Sequence, residues 1–335
     1  MTYQTGSATD LVDLLSKLST FATTTHGGWS QGYLNVANGW LELSKGNLSV
    51  SFKWNPSTKG SLSVHHATAF VSTGTAPGKH TGDSNIGYNT TDTGHSDANL
   101  ISERCVNAIG DGPFVSYHFF ADDTTNDYIH VVVEAEPTIF RHFGFGTLDK
   151  VGDNWTGGEY VYGHNKVQTT NSSATTFSST ANAFLIDDCG VNDLGATVRA
   201  TGLPNQAAGS KFVLMYSASS AASSSDQDGD PHSSGMGTAR GGMMGYAFNA
   251  MAAGTGSLHV PLIPIHAFYK DYTNKHIYLM GTQPDVFLCN VENLTAGTEF
   301  TIGSDTYIAF PAAQKTDQVT LNRTYFGGYA YKKVS

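Results

Sequence analysis

"TIFRHFGFGTLDKVGDNWTGGEYVYGHN", Thr138 to Asn165, is the stretch on which the reading of this chain turns. Read as a regular strand, its first part places Phe140 and His142 on one face and Arg141, Phe143 and Phe145 on the other, because successive strand residues point to opposite sides. Gly144 and Gly146 interrupt that pattern. Glycine within a strand marks a bulge or a close approach of another backbone, and Gly157, Gly158 and Gly163 add further such points. Three readings are open: a bent β corner lined with packed rings, a contact between subunits, or an aromatic platform for a sugar. Tyr, Trp, Phe and Arg are the types enriched as interface anchors. Phe140, Arg141, Phe143, Phe145, Trp155, Tyr160 and Tyr162 are therefore the candidate subunit interface.

The segments on either side are strand-like. PFVSYHFFA (113–121) and YIHVVVEAE (128–136) are joined by a polar turn, and their β-branched and aromatic content predicts a well-buried hairpin. IFRHFGFG (139–146) follows as a third adjacent strand and EYVYG (159–163) as a fourth. Upstream, WLELS (40–44) and LSVSFKW (48–54) flank Lys45-Gly46-Asn47 as another hairpin, with LSVHHATAF (62–70) next. Downstream, strand character recurs at 211–219, 261–271, 276–281 and 285–291. FTIG (300–303) and TYIAFP (306–311) form a hairpin around Ser304-Asp305, and YFGGYAYKKV (325–334) closes the sheet.

The one clear helix is at the start. Leu11, Leu14, Leu15, Leu18 and Ala22 follow helical spacing. Thr9 is the expected N-cap, Asp10 and Asp13 lie near the positive end of the dipole, and Gly27-Gly28 marks the stop. Three stretches poor in apolar residues, 72–99, 168–182 and 219–245, read as long Gly/Ser/Thr-rich loops or linkers. The expected fold is mainly β (α+β). An N-terminal amphipathic helix packs on an antiparallel sheet in residues 1–167, and a second β-rich part with a long loop near 219–245 occupies 168–335.

Composition narrows function. Of 335 residues, 14% are charged and 37 are glycine, and the formal net charge is −10. Low charge suits turn-rich β structure or a surface covered by neighbours, since interface cores are depleted in charge. A negative chain whose only basic cluster is Lys332-Lys333 lacks a phosphate-neutralising patch, so nucleic acid is not an expected partner. No apolar run approaches the length of a membrane helix. MTYQTGSATD has neither a positive region nor an apolar core, so no signal peptide is expected. The cysteines, Cys105, Cys189 and Cys289, are odd in number and widely spaced, which predicts free thiols in a reducing cytoplasm.

The motifs that could carry chemistry are weak. His65-His66 are adjacent on a strand and point to opposite faces, which suits no shared metal. Asp226-x-Asp228-Gly229-Asp230 has glycine at the wrong place for a calcium loop, with Gly237 where a glutamate belongs. Gly144-x-Gly146 lacks the third glycine of a dinucleotide loop. Asp187-Asp188 and the same-face pair Glu134/Glu136 read as solvated carboxylates. The expectation is no catalytic residue, no cofactor and no metal.

The run VVVEAEPTIFRHFGFGTLDKVGDNWTGGEYVYG resembles a segment recurrent in virion structural proteins of tailed bacteriophages, in which a β-hairpin leads into an FRHFGFG-like strand and a TGGE-type turn. TDLVDLLSKL with its following Gly-Trp segment, and FTIGSDTYIAFPAAQK with YFGGYAYKK, are similar to the same proteins. The resemblance covers mainly 1–165 and 285–335. It implies a ring-forming subunit of the neck, tail or baseplate, assembled in the bacterial host cytoplasm, whose partners are its own copies and other phage structural proteins. The alternative is a receptor- or glycan-binding virion protein at a tail tip or fibre, for which the aromatics near glycines are the warrant.

Overall fold

A computed structural model describes residues 1–37, 39–54, 62–67, 106, 107, 109–163, 196–205, 212–214, 262–271, 274, 276–291, 293–311 and 327–334. The three long loops read from composition lie outside these residues, as do Cys105, Cys189, Asp187-Asp188, the Asp226–Asp230 run and the side chains of His65 and His66. The described chain is mostly β, in antiparallel sheets, with one short N-terminal helix.

A seven-stranded sheet forms the middle layer. Its strands are β1 (Thr2–Ala8), β7 (Phe114–Asp122), β8 (Tyr128–Glu136), β9 (Ile139–Thr147), β11 (Thr156–Gly163), β12 (Ala196–Thr201) and β13 (Phe212–Leu214), in that spatial order. On one side lies a sheet of β2 (Ser30–Asn35), β3 (Trp40–Lys45), β4 (Leu48–Trp54), β5 (Leu62–Ala67) and β6 (Val106–Asn107). On the other lies the C-terminal sheet, β10 (Asp149–Lys150), β15 (His276–Asn290), β18 (Gly327–Val334), β17 (Asp305–Pro311) and β16 (Thr298–Ile302), with β14 (Ile263–Asp271) also paired to β15. The middle sheet crosses the 167/168 division expected from sequence, because β12 and β13 continue it beyond β11.

The helix α1 (Leu11–Thr20) forms where the leucines recur at helical spacing, and Leu11, Leu14, Leu15 and Leu18 are all fully buried. Its N-cap is Asp10 rather than Thr9: the Asp10 carboxylate accepts from the Asp13 amide at 2.8 Å, while Asp13 accepts from the Thr9 amide at 2.9 Å. A carboxylate serves two purposes there, satisfying an orphan amide and facing the positive end of the helix. The helix continues as a wider π turn over Phe21–Thr25 and stops before Gly27.

The middle sheet is buried on both faces. Phe119, Ile129, Val131, Val133, Phe143, Phe145 and Val161 pack against α1 and the N-terminal sheet, where Leu41, Leu43, Val50 and Phe52 meet them. The alternate residues Phe120, Val132, Phe140, Tyr160, Tyr162 and Val198 pack against Val286, Leu288, Ile308, Phe310, Tyr329 and Tyr331 of the C-terminal sheet. Two-sided burial explains why β8 is a nearly unbroken apolar run rather than an alternating one. Lys45, at the end of β3, ties the first two layers from outside through Asp123 at 3.1 Å and Asp127 at 2.9 Å.

The glycines of β9 do not bend it. Its pairing with β8 runs without a shift from Val133↔Arg141 to Tyr128↔Gly146, and its pairing with β11 is equally regular. The bulge lies instead in β11, between Gly157 and Tyr160, where φ is 118° at Gly157 and 122° at Gly158. A Cβ on Gly157 would stand 2.1 Å from the Arg199 carbonyl oxygen, so that contact between neighbouring strands requires glycine.

Phe143 and Phe145 have no exposed surface, and both rings meet Phe52 edge-on. Truncating either to alanine removes a buried ring and leaves a cavity, which costs about 3–5 kcal/mol. Denaturant melts of Phe143→Ala and Phe145→Ala should show that loss. An unchanged unfolding midpoint would show that the rings are not core.

Candidate functional site

The seven residues singled out from sequence do not gather at one surface. Phe143 and Phe145 face the helix side, and Phe140, Tyr160, Tyr162 and Trp155 face the C-terminal sheet, with 0–5% of each side chain's residue exposed. Arg141 is half-buried and its guanidinium donates to the Phe140 carbonyl at 2.9 Å. Trp155 donates its indole N–H to the Val151 carbonyl at 3.2 Å, with the Lys150 ammonium 4.4 Å from the ring centroid. These six rings give their surface to their own chain, so a contact with a neighbour has to be made mainly by other residues.

What the stretch does build is a polar network between the middle and C-terminal sheets. Register sets three rows across the face that meets the C-terminal sheet. His118, Val132 and His142 form one, Phe120, His130, Gly144 and Tyr162 the next, and Asp122, Tyr128, Gly146 and Tyr160 the third. Tyr162 lies over Gly144 to reach His130, its hydroxyl 2.9 Å from His130 Nδ1. A Cβ on Gly144 would come within 2.5 Å of the Tyr162 ring and 2.8 Å of the Ile129 carbonyl oxygen. Gly144 is thus glycine because an aromatic ring from the next strand takes the space of its side chain, an arrangement in which the ring covers the otherwise bare backbone.

The two inner histidines are bound in the same way. His130 Nε2 is 2.9 Å from the Pro284 carbonyl, and His142 Nε2 is 2.9 Å from the Pro311 carbonyl. A carbonyl only accepts, so each Nε2 carries the proton and each Nδ1 is an acceptor when the ring is neutral. Tyr162 therefore donates to His130 Nδ1, and Tyr331 donates to His142 Nδ1 at 2.8 Å. His142 also lies parallel to the Tyr331 ring, with centroids 5.9 Å apart. Tyr128 donates to the Asp285 carboxylate at 2.8 Å, and Asp285 sits at φ 56°, a left-handed conformation uncommon for a residue with a side chain. Tyr128 and His130 together hold the Pro284-Asp285 kink of β15. At the rim, the Tyr3 hydroxyl meets His118 Nδ1 at 2.8 Å.

Burial disfavours charge throughout this network. It pushes His130 down to about 4 and His142 to about 3, the carbonyl partners opposing it only in part and Arg141 adding to it at His142. His118 is likewise pushed down to about 4 by burial. The hydroxyls of Tyr128, Tyr162 and Tyr331 are raised, again chiefly by burial. Asp285 is raised by burial, against the Tyr128 hydrogen bond and the Lys332 charge. With His130 and His142 at 0% and 1% exposure, the network offers no approach to a substrate; it fastens one layer to another. Elsewhere, Glu159 and Arg199 form a bidentate pair between β11 and β12.

None of His118, His130, His142, Tyr128, Asp285 or Tyr331 stands among the residues chosen from sequence. The available signal was the position of His130 and His142 inside the most apolar runs of the chain. A polar ring on a strand buried on both faces must find partners for both nitrogens. Among the described residues no group of three or more His, Cys, Asp or Glu is placed to hold a metal, and no helix is long and apolar enough to cross a membrane. Comparison with known protein families finds no family model that matches the chain, and comparison with curated proteins finds no match.

Two measurements test this construction. Gly144→Ala should lower stability by about 1–3 kcal/mol or more, as overpacking does. A normal melt would show that Tyr162 does not need the space. The second concerns pH. Each depressed histidine binds its proton in the unfolded chain from about 6.5 downward, and in the folded protein only near 4 or 3. Between those values the unfolded state holds more protons, so stability falls as pH falls, by up to about 1.4 kcal/mol per pH unit per histidine. Glu42 and Asp285, raised by burial, oppose the trend. The comparison that isolates the histidine is His130→Gln, whose unfolding midpoint should drop less than the wild type's between pH 6.5 and 4.5. Equal slopes would show that His130 does not titrate as described.

Proposed function

We propose that the chain is a structural subunit of a tailed-bacteriophage virion, a ring-forming component of the neck, tail or baseplate. It assembles in the host cytoplasm with its own copies and with other phage structural proteins. One observation carries the reading. The three stretches that resemble such proteins are far apart in sequence yet form one packing unit. TDLVDLLSKL is α1, buried in the core it shares with β7, β8 and β9. FRHFGFG is β9, and its His142 binds the hydroxyl of Tyr331 and the carbonyl of Pro311, which belong to the C-terminal stretches. A shared pattern confined to loops would have little structural meaning; here it coincides with the contacts that join all three layers.

A subunit under load benefits from layers joined by directional bonds as well as by apolar contact. The middle sheet, covered on both faces, supplies a layer of this kind. The glycan-binding reading has less support, because Trp155, Tyr160 and Tyr162, the rings that suggest it, are buried and form no exposed platform themselves.

Light scattering or native mass measurement of the purified chain, with its position in an imaged virion, tests the proposal. The expected result is a closed homo-oligomer on the head–tail axis, cyclic assembly being the usual arrangement of identical subunits. A stable monomer that is absent from that axis would overturn it.

A further inference from the structure

We draw no further inference here: the strongest candidate, the outer edge of β1 in the middle sheet, whose run TYQTGSA holds no charged residue or proline to discourage strand pairing, rests on an unpartnered strand edge alone, and nothing among the described residues shows what would cover it.

Discussion

A β-sheet covered by protein on both faces has no solvent for its polar side chains, and each must meet another polar group inside. That constraint governs the middle sheet. It makes β8 a continuous apolar run and sets phenylalanines toward the helix. It also forces His130 and His142 to find partners for every ring nitrogen. They find them in the C-terminal sheet and in Tyr162, and these bonds fix how the layers lie on one another. Apolar contact supplies most of the free energy of burial but has little directional preference. The histidine bonds, which fail if the sheets slide by a residue, supply the registration.

Much of the fold is legible in the chain itself. The leucines of α1, the hairpin around Lys45-Gly46-Asn47, the strands at 113–121, 128–136, 139–146 and 159–163, and the hairpin at 300–311 all carry local signals, and each overlaps an observed element, the last beginning two residues earlier, at Thr298. β1 carries no such signal. TYQTGSA has no alternation of apolar residues because it is an edge strand with most of its side chains only partly covered, held by pairing with β7. β12 is short and gains its strand character from pairing with β11 across a bulge. The Asp10 cap differs from the expected Thr9 by one residue, within the range over which helix starts are ambiguous from sequence.

The network was harder to read for a different reason. His142 meets partners 169 and 189 positions away, and His130 meets one 154 positions away. Local periodicity says which face a histidine takes but not what will face it. Gly144 and Gly146 raised the same difficulty. A strand glycine can mean a bend or a neighbour that needs room, and only the register, which sets Tyr162 and Tyr160 beside them, distinguishes the two. From Thr138 to Gly163 the stretch is thus a straight strand, a short strand of the C-terminal sheet and a bulged partner strand, with the Tyr162 ring lying over the bare backbone of Gly144.

Both histidine bonds to the C-terminal sheet that end on a carbonyl, at Pro284 and at Pro311, end on the main chain. Every residue possesses a carbonyl, so replacing either proline leaves an acceptor at that position, and single-codon change can silence these contacts directly only from the histidine side. The vulnerability is therefore unequal between the two ends of each bond. Positions 142 and 130 should tolerate almost nothing during drift, whereas the acceptor positions are free to vary within the limits of the backbone path. Gly144 and Tyr162 form a second unequal pair: the tyrosine can shrink without harm to the glycine, but the glycine cannot grow while the tyrosine stays. Divergence along this lineage would thus have an order, with the ring lost first and the bare backbone filled afterwards.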